Sequence, residues 1–126
     1  MRVLIADSSQ HIRGSIKRLI SHIECIQEVL ESTNVQEAID ACQYCSPEAI
    51  VLDYKLIGGN SMDVLETVRL NNSGTLVIVL YTAIYPQIKH QCLRTGANYV
   101  LDKSTEFDLI PALLSSRCSD NTPTAN

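Results

Sequence analysis

Four polar side chains each stand at or just after the end of a short apolar run: Asp7, Asp53, Thr82 and Lys103. Continuous apolar runs of this length are typical of strands that are buried on both faces of a parallel sheet. The carboxyl ends of such strands lie at one edge of the sheet, where open α/β folds bind ligands. We therefore expect two carboxylates, a hydroxyl and an ammonium group to meet at that edge.

This combination of groups suits phosphoryl transfer. Two carboxylates can hold Mg²⁺, which prefers oxygen ligands, and a carboxylate can itself accept a phosphoryl group. The ammonium of Lys103 would contact phosphoryl oxygens, and the Thr82 hydroxyl could follow a new phosphoryl group. Simpler roles stay open: Asp7 and Asp53 as helix caps, Thr82 as a strand end, and Lys103 as a solvated lysine.

Strand and helix patterns alternate five times along the chain. Apolar runs predict strands over residues 3–6, 27–32, 50–53, 76–81 and 99–102, with a helix after each one. Such alternation predicts one α/β domain with a doubly wound parallel sheet, for which the strand order 2-1-3-4-5 is common. In this order the first and third strands are neighbours, so that Asp7 and Asp53 would flank the ligand crevice.

Capping signals predict where the helices begin. Ser8 or Ser9 can cap the first helix, and Asn34 can cap the second with Glu37 as its capping-box partner. Pro111 is tolerated only near the start of the last helix, so that helix should begin later than Thr105.

The fourth helix is predicted from a proline and a glycine at its two ends. Pro86 suits the first turn and Gly96 suits the C-terminal stop. Between them, Ile88, Cys92 and Leu93 are the residues that we expect to face the sheet.

Composition limits the functional classes. The chain has 126 residues, a net charge of −4 and a pI near 5.2, which argue for one domain and against a nucleic-acid surface. No apolar stretch is long enough to span a membrane, so we expect a cytoplasmic protein. Residues 1–118 should form the domain and residues 119–126 a polar tail or the stub of a linker.

The cysteines are five in number and scattered, which predicts free thiols in a reducing compartment. Cys42 and Cys45 match the C-x-x-C pattern, but they lie late in a helical segment and have no second cysteine pair or nearby histidine. Packing is therefore favoured over a metal or redox role.

Over essentially its whole length the sequence resembles the receiver domain of two-component response regulators. The resemblance rests on Val3–Asp7, Arg13, Ile50–Asp53, Leu80–Ala83 and Gly96–Tyr99 leading to Lys103. It implies a flavodoxin-like (βα)5 fold in which Asp53 accepts a phosphoryl group from a histidine kinase or phosphotransfer protein. It also implies that Thr82 is the switch hydroxyl and Lys103 the phosphate-contacting lysine, while Asp7, Asp53 and the backbone carbonyl of Lys55 hold Mg²⁺.

The sequence departs from the family pattern at several positions near the site. Ser8 stands where the family has a second acid, so it is a weak or absent metal ligand and Mg²⁺ binding is expected to weaken. Ile57 replaces a proline and Ser61 a glycine in the loop after Asp53. Val100 stands at the aromatic switch position, and Ser104 replaces the proline after the lysine.

Three functional alternatives follow from these residues. The first is a phosphorylatable single-domain receiver, not an enzyme, which signals through the face of the fourth helix, fifth strand and fifth helix, with Lys89, Arg94 and Tyr99 exposed; a homodimer is one option. The second is a pseudo-receiver that binds partners without efficient phosphorylation. The third is a small hydrolase or flavin carrier, for which Lys55 and the loop after Asp7 are poorly suited.

Overall fold

The computed structural model describes residues 1–71, 74–83 and 85–120, without the side chains of residues 119 and 120. The strands are β1 (Arg2–Ala6), β2 (Glu28–Ser32), β3 (Ala49–Asp53), β4 (Leu76–Tyr81) and β5 (Tyr99–Asp102). The helices are α1 (Gln10–Ile20), α2 (Val35–Tyr44), α3 (Ser61–Asn71), α4 (Pro86–Thr95) and α5 (Ile110–Asp120), with a short 3-10 turn at Phe107–Leu109.

The five strands form one parallel sheet in the order β2-β1-β3-β4-β5, as predicted. Alternate residues of each strand belong to two separate apolar clusters, one on each face. In β1, Leu4 packs with residues of α2 and α3, whereas Ile5 packs with residues of α1 and α5. Every residue of β4 is buried, which explains why its sequence is apolar without alternation.

The first two helices begin at caps that the sequence predicts. The Ser9 hydroxyl accepts a hydrogen bond from the amide of Ile12 at 3.2 Å, and Asn34 Oδ1 accepts one from the amide of Glu37 at 2.9 Å. The expected capping box is wrong in one detail, because the Glu37 carboxylate accepts from the amide of Thr33 at 2.7 Å and not from that of Asn34. This hydrogen bond lowers the pKa of Glu37.

The fourth helix is less buried than expected. Pro86 lies in its first turn and Gly96 ends it with a φ of 130°, as predicted. Cys92 is buried and Ile88 is partly buried, but Leu93 is 42% exposed, so its predicted inward orientation is wrong. Ile88 and Cys92 are four residues apart and share a face, whereas Leu93 is turned by about 100° from Cys92.

An arginine near the end of α3 joins three segments of backbone. The Arg69 guanidinium donates to the carbonyl of Thr75 at 2.8 Å and from Nε to the carbonyl of Gly96 at 3.0 Å. It also donates to Asn98 Oδ1 at 3.0 Å. Desolvation by burial lowers the pKa of Arg69. The side chain therefore holds α3, the start of β4 and the α4–β5 connection together.

One pair of cysteines contradicts the expectation of free thiols. Cys25, after α1, and Cys118, in α5, form a disulfide with their Cα atoms 6.2 Å apart. The two residues are 93 positions apart in sequence, so only the packing of α1 and α5 on the same face of the sheet reveals that they are neighbours. Cys42, Cys45 and Cys92 are free.

The last helix begins at Ile110, later than Thr105, with Pro111 in its first turn as predicted. It continues to Asp120, two residues into the segment 119–126 that was predicted to be a tail, and residues 121–126 lie outside the described part of the chain. Within the described ranges, no helix combines the length and the apolar character that crossing a bilayer requires.

Candidate functional site

Backbone hydrogen bonds bring the ends of the strands to one edge of the sheet. The amide of Asp7 donates to the carbonyl of Ser32 at 3.1 Å. On the other side of the sheet, the amide of Lys103 donates to the carbonyl of Tyr81 at 3.0 Å, which sets Lys103 beside the residue that precedes Thr82. Parallel pairing therefore carries polar side chains from four strands to a common edge.

The Lys103 ammonium lies between two carboxylates from different strands. Its Nζ is 2.9 Å from Asp7 Oδ2 and 3.3 Å from Asp53 Oδ1. Asp7 is only 2% exposed, so its charge needs such a partner. Three of the four predicted side chains thus form one ion-paired group.

Further contacts fix the position of Asp7. Its Oδ1 accepts a hydrogen bond from the amide of Ser9 at 2.8 Å, and its backbone carbonyl accepts one from Arg13 Nη1 at 2.8 Å. Arg13 also pairs with Glu31 at 3.0 Å, and Glu31 pairs with Lys17 at 3.0 Å. The hydrogen bond from Lys17 is the main cause of the lowered pKa of Glu31. The sequence marks Arg13 only as part of the family motif, and its contact with the Asp7 carbonyl is not predictable from that motif.

Asp53 is more accessible than Asp7 and is oriented by the chain that follows it. Its Oδ1 accepts a hydrogen bond from the amide of Lys55 at 3.2 Å. Tyr54 contacts Tyr81 edge-to-face with ring centroids 4.8 Å apart, and the Lys55 ammonium lies 5.8 Å from the centre of the Tyr81 ring. The residue after Asp53 and the residue before Thr82 therefore contact each other through their rings, an arrangement that the sequence patterns did not predict.

Thr82 lies at the same edge, directly after β4, and is exposed. Within the described part of the chain, its hydroxyl has no hydrogen bond to the Asp7–Lys103–Asp53 group. The next residue, Ala83, has a φ of 55°, which is unfavourable for a residue with a Cβ. The structure therefore brings Thr82 to the predicted edge but does not join it to the three charged residues.

Ser8 binds the loop that follows Asp53. Its hydroxyl accepts a hydrogen bond from the amide of Ile57 at 3.2 Å, and the carbonyl of Ile57 accepts one from the amide of Val35 at 2.9 Å. Gly58 and Gly59 follow with φ values of 87° and 150°, and side chains at either position would be strained. The β3–α3 loop is thereby held against the start of α2, and Ser8 serves as a loop contact.

Ser61, where the family pattern has glycine, has a comparable structural role. It is buried, and its hydroxyl donates to the carbonyl of Tyr54 at 2.6 Å. The hydroxyl satisfies a carbonyl next to Asp53 and fixes the start of α3. The serines at positions 8 and 61 therefore each add a hydrogen bond that holds the loop.

The donor set of the site is compatible with Mg²⁺. The carboxylates of Asp7 and Asp53 already converge on one cation, the Lys103 ammonium, and Mg²⁺ is commonly bound by one or two carboxylates with phosphate oxygens. Carboxylate oxygens are the hard ligands that this ion prefers. Among the described residues, no group of three or more acidic, histidine or cysteine side chains gathers, so the carboxylate count stays at two.

Several known proteins resemble this chain in sequence. The response regulator receiver domain model matches residues 3–115. The nitrate/nitrite response regulator protein NarL of Escherichia coli K12 is 27% identical over 112 residues, which cover 88% of this chain and 52% of that protein. The sensory/regulatory protein RpfC of Xanthomonas campestris is 27% identical over 107 residues, covering 82% of this chain and 14% of RpfC. This chain spans about half the length of the first curated relatives.

Solved structures have the same fold. The signal receiver domain of NarL from Mycobacterium tuberculosis superposes with a TM-score of 0.80 at 26% identity, covering 92% of this chain and 94% of that one. A Francisella response regulator receiver domain gives a TM-score of 0.83 at 21% identity, covering 96% and 98%, which supports the fold. On its sequence match and its flavodoxin-like architecture, the chain belongs to the response regulator receiver domain family of two-component signalling.

Proposed function

We propose that Asp53 accepts a phosphoryl group from a histidine kinase or phosphotransfer protein, and that the chain then signals by binding a partner. The observation that carries the proposal is the Lys103 ammonium shared by the Asp7 and Asp53 carboxylates at the ligand-binding edge of the sheet. In this proposal the chain is a phosphoacceptor and not an enzyme that turns over a separate substrate. In this proposal the protein lies in the cytoplasm, where histidine kinases bind ATP.

The transfer is an in-line displacement on phosphorus. A carboxylate oxygen of Asp53 attacks the phosphorus of the donor's phosphohistidine; the new O–P bond forms as the P–N bond breaks, and the imidazole nitrogen keeps the electron pair. The Lys103 ammonium, 3.3 Å from Asp53 Oδ1, is near enough to balance charge on the phosphoryl oxygens. The buried Asp7 and its contact to Lys103 keep that ammonium in position.

Mg²⁺ would be held by Asp7, Asp53 and the backbone carbonyl of Lys55. When bound, it would add positive charge beside the transferred phosphoryl oxygens. Ser8 is a neutral hydroxyl that already accepts the amide of Ile57, so it would contribute little to the ion.

The response to phosphorylation would begin at Thr82. Its exposed hydroxyl could donate to a phosphoryl oxygen on Asp53, and the strained φ of Ala83 could relax as the segment 82–83 moves. That segment leads into α4, so the change would reach the face formed by α4, β5 and α5, through which we propose that a downstream protein binds.

The direct test is phosphoryl uptake measured by mass spectrometry. The protein is incubated with acetyl phosphate and Mg²⁺, and a gain of one phosphoryl group is expected in the wild type but not in Asp53→Asn. A mass gain that persists in Asp53→Asn would place the acceptor elsewhere. No gain under any Mg²⁺ concentration would reject the proposal.

A second candidate, the pseudo-receiver, is favoured by one observation: Ser8 replaces an acid and is used as a loop contact. Such a module would bind its partner equally well with and without phosphodonor. Ser8→Asp discriminates between the two: if the wild type takes up no phosphoryl group and Ser8→Asp does, the missing acid is the cause and the pseudo-receiver alternative is favoured.

A further inference from the structure

The Cys25–Cys118 disulfide joins two segments that pack on the same face of the sheet. Cys25 is in the connection between α1 and β2, and Cys118 is in the last turn of α5. Their Cα atoms are 6.2 Å apart, within the range of about 4.4–6.8 Å that a disulfide spans without movement of the backbone. The same backbone can therefore hold either the bonded or the reduced pair.

The apolar core on this face is complete without the bond. Ile16 and Ile20 of α1 and Ile110 and Leu114 of α5 are all buried in one cluster against the sheet. A domain of this size buries enough apolar surface to fold without covalent cross-links. The reduced chain should therefore stay folded, so that opening the bond is a local change.

The last turn of α5 has few apolar anchors other than Cys118. After the buried Leu114, the helix continues with two exposed serines and Arg117 before it reaches this cysteine. Arg117 donates a hydrogen bond to the carbonyl of Gly74. Helix ends with few buried apolar contacts open at a low free energy, so the disulfide contributes much of what holds this turn against the α1–β2 connection.

Both residues of the pair can be reached from solvent. Cys25 and Cys118 are each partly exposed, whereas the free Cys42 and Cys92 are buried. Thiol–disulfide exchange requires a thiolate to approach one of the two sulfurs, which partial exposure allows. Exposed disulfides are the ones that a reducing compartment opens, and disulfides in the cytosol are usually transient or redox-sensing. The pair therefore has the properties of a labile bond and not those of a buried structural disulfide.

We propose that Cys25 and Cys118 form a reversible redox site, which glutathione opens and glutathione disulfide closes, and whose state sets how firmly the last turn of α5 is held. This role does not depend on phosphorylation of Asp53. When the bond is closed, α5 is tied to the α1–β2 connection. When it is open, the residues after Leu114 lose this anchor while the rest of the domain keeps its core. The chain then has two forms that differ at the end of its last helix.

The exchange takes place in two balanced steps. The thiolate of one glutathione attacks a sulfur of the pair; a mixed disulfide forms as the protein S–S bond breaks, and the other cysteine leaves as a thiolate and takes up a proton. A second glutathione thiolate attacks the glutathione sulfur of the mixed disulfide, so that glutathione disulfide forms and the second cysteine is released and protonated. Two glutathione molecules are oxidised and two cysteine thiols are produced. Closure is the reverse sequence.

The first experiment titrates the pair in the folded, full chain. The protein is equilibrated without denaturant in buffers with an increasing ratio of glutathione to glutathione disulfide, quenched, alkylated and digested for mass spectrometry. We expect the Cys25 and Cys118 peptides to gain the alkyl label together as the ratio rises, and to lose it when glutathione disulfide is added back. Peptides that contain Cys42 and Cys92 should carry the label throughout.

Hydrogen–deuterium exchange measures the effect on α5. Reduction should speed exchange of the amides of residues 115–118 about tenfold or more, while β3 and β4 stay protected over the same labelling time. Cys25→Ser is the decisive variant because it removes the bond and leaves every residue of α5 as it is, so it should show the fast exchange in both redox buffers. Cys45→Ser, which removes a free thiol, is the matched control and should respond as the wild type does.

Three results would overturn the proposed redox site: a bond that persists in the native chain at excess glutathione and opens only in denaturant, a bond that never forms in glutathione disulfide, or opening without faster exchange at the end of α5. Phosphoryl uptake is measured separately on both redox forms. Uptake without a redox response would reject the redox site alone, whereas a redox response without uptake would reject phosphorylation alone.

Discussion

Lys103 Nζ lies 2.9 Å from Asp7 Oδ2 and 3.3 Å from Asp53 Oδ1, so that one ammonium balances carboxylates delivered by β1 and β3. The contact joins the end of β5 to the ends of β1 and β3, two strands that are not neighbours of β5 in the sheet. It also means that any divalent ion entering the site must share the same two carboxylates with this lysine.

The first prediction follows from that sharing. Lys103→Met leaves the buried Asp7 carboxylate without its cation, and we expect a loss of about 3 kcal/mol in the free energy of unfolding without Mg²⁺. Because the competing ammonium is gone, Mg²⁺ should bind more tightly to the variant and restore much of this loss. Urea denaturation with and without Mg²⁺ measures both effects, and a loss that Mg²⁺ does not reduce would contradict the prediction.

Ser8→Asp should increase Mg²⁺ affinity at least tenfold, because a third carboxylate joins Asp7 and Asp53. Isothermal titration calorimetry measures the affinity directly. Ser9→Asp is the matched control: it adds the same charge one residue later and can still cap α1, as Ser9 does now. Equal gains in the two variants would show that charge alone, and not ligation at position 8, is responsible.

Whether the sequence could predict a contact in the site depends on how far apart the two residues lie in the chain. β3 and β4 are continuous apolar runs with a polar residue at or after their ends, so pattern and the parallel-sheet rule were enough to bring Asp53 and Thr82 to one edge. Asn34 and Ser9 cap their helices through contacts only three residues long. Such local signals predicted the architecture and most helix starts.

Contacts between distant segments were not predictable in the same way. Ser8 and Ile57 meet across 49 positions and Cys25 and Cys118 across 93. Neither pair has a local pattern, because each contact exists only after the sheet and its helices have assembled. Leu93 was mispredicted because an apolar residue next to the buried face of a helix has the same sequence pattern as one within it.

The third prediction concerns the hydrogen bonds that Arg69 donates to backbone carbonyls. Its guanidinium reaches the carbonyls of Thr75 and Gly96 at once, so Arg69→Met should reduce the free energy of unfolding by about 2 kcal/mol by leaving these acceptors without their donor. Arg69→Lys should recover less than half of that loss, because one ammonium cannot reproduce the planar fork. Chemical denaturation of both variants tests this, and full recovery by lysine would contradict the geometry.

The fourth prediction concerns the Cys25–Cys118 disulfide. It closes a long loop, so Cys118→Ser or treatment with a reductant should lower the free energy of unfolding by about 2–4 kcal/mol. Cys45→Ser, which removes a free thiol, is the control and should have little effect. Non-reducing mass spectrometry after proteolysis identifies the linked peptides, and two alkylated peptides instead of one linked pair would contradict the bond.

The fifth prediction is a dependence of stability on alkaline pH. Burial raises the pKa of the Cys42 thiol from 9.0 to about 12, so the unfolded chain loses this proton at a lower pH than the folded chain does. The stabilisation is complete below pH 9 and is lost between pH 9 and 12, and the loss reaches about 1.4 kcal/mol at pH 10. Cys42→Ala should show a smaller decrease from pH 8 to pH 10 than the wild type. An identical decrease would mean that other groups cause it.

The ring contact between Tyr54 and Tyr81 provides an intrinsic fluorescence probe near the site. The chain contains no tryptophan and five tyrosines, so phenol emission is not masked by indole. One ring follows Asp53 in sequence and the other precedes Thr82, with the Lys55 ammonium nearby. Beryllofluoride or a metal ion arriving at the carboxylates should therefore change tyrosine fluorescence without any attached dye, and Tyr81→Phe would identify the ring that reports it.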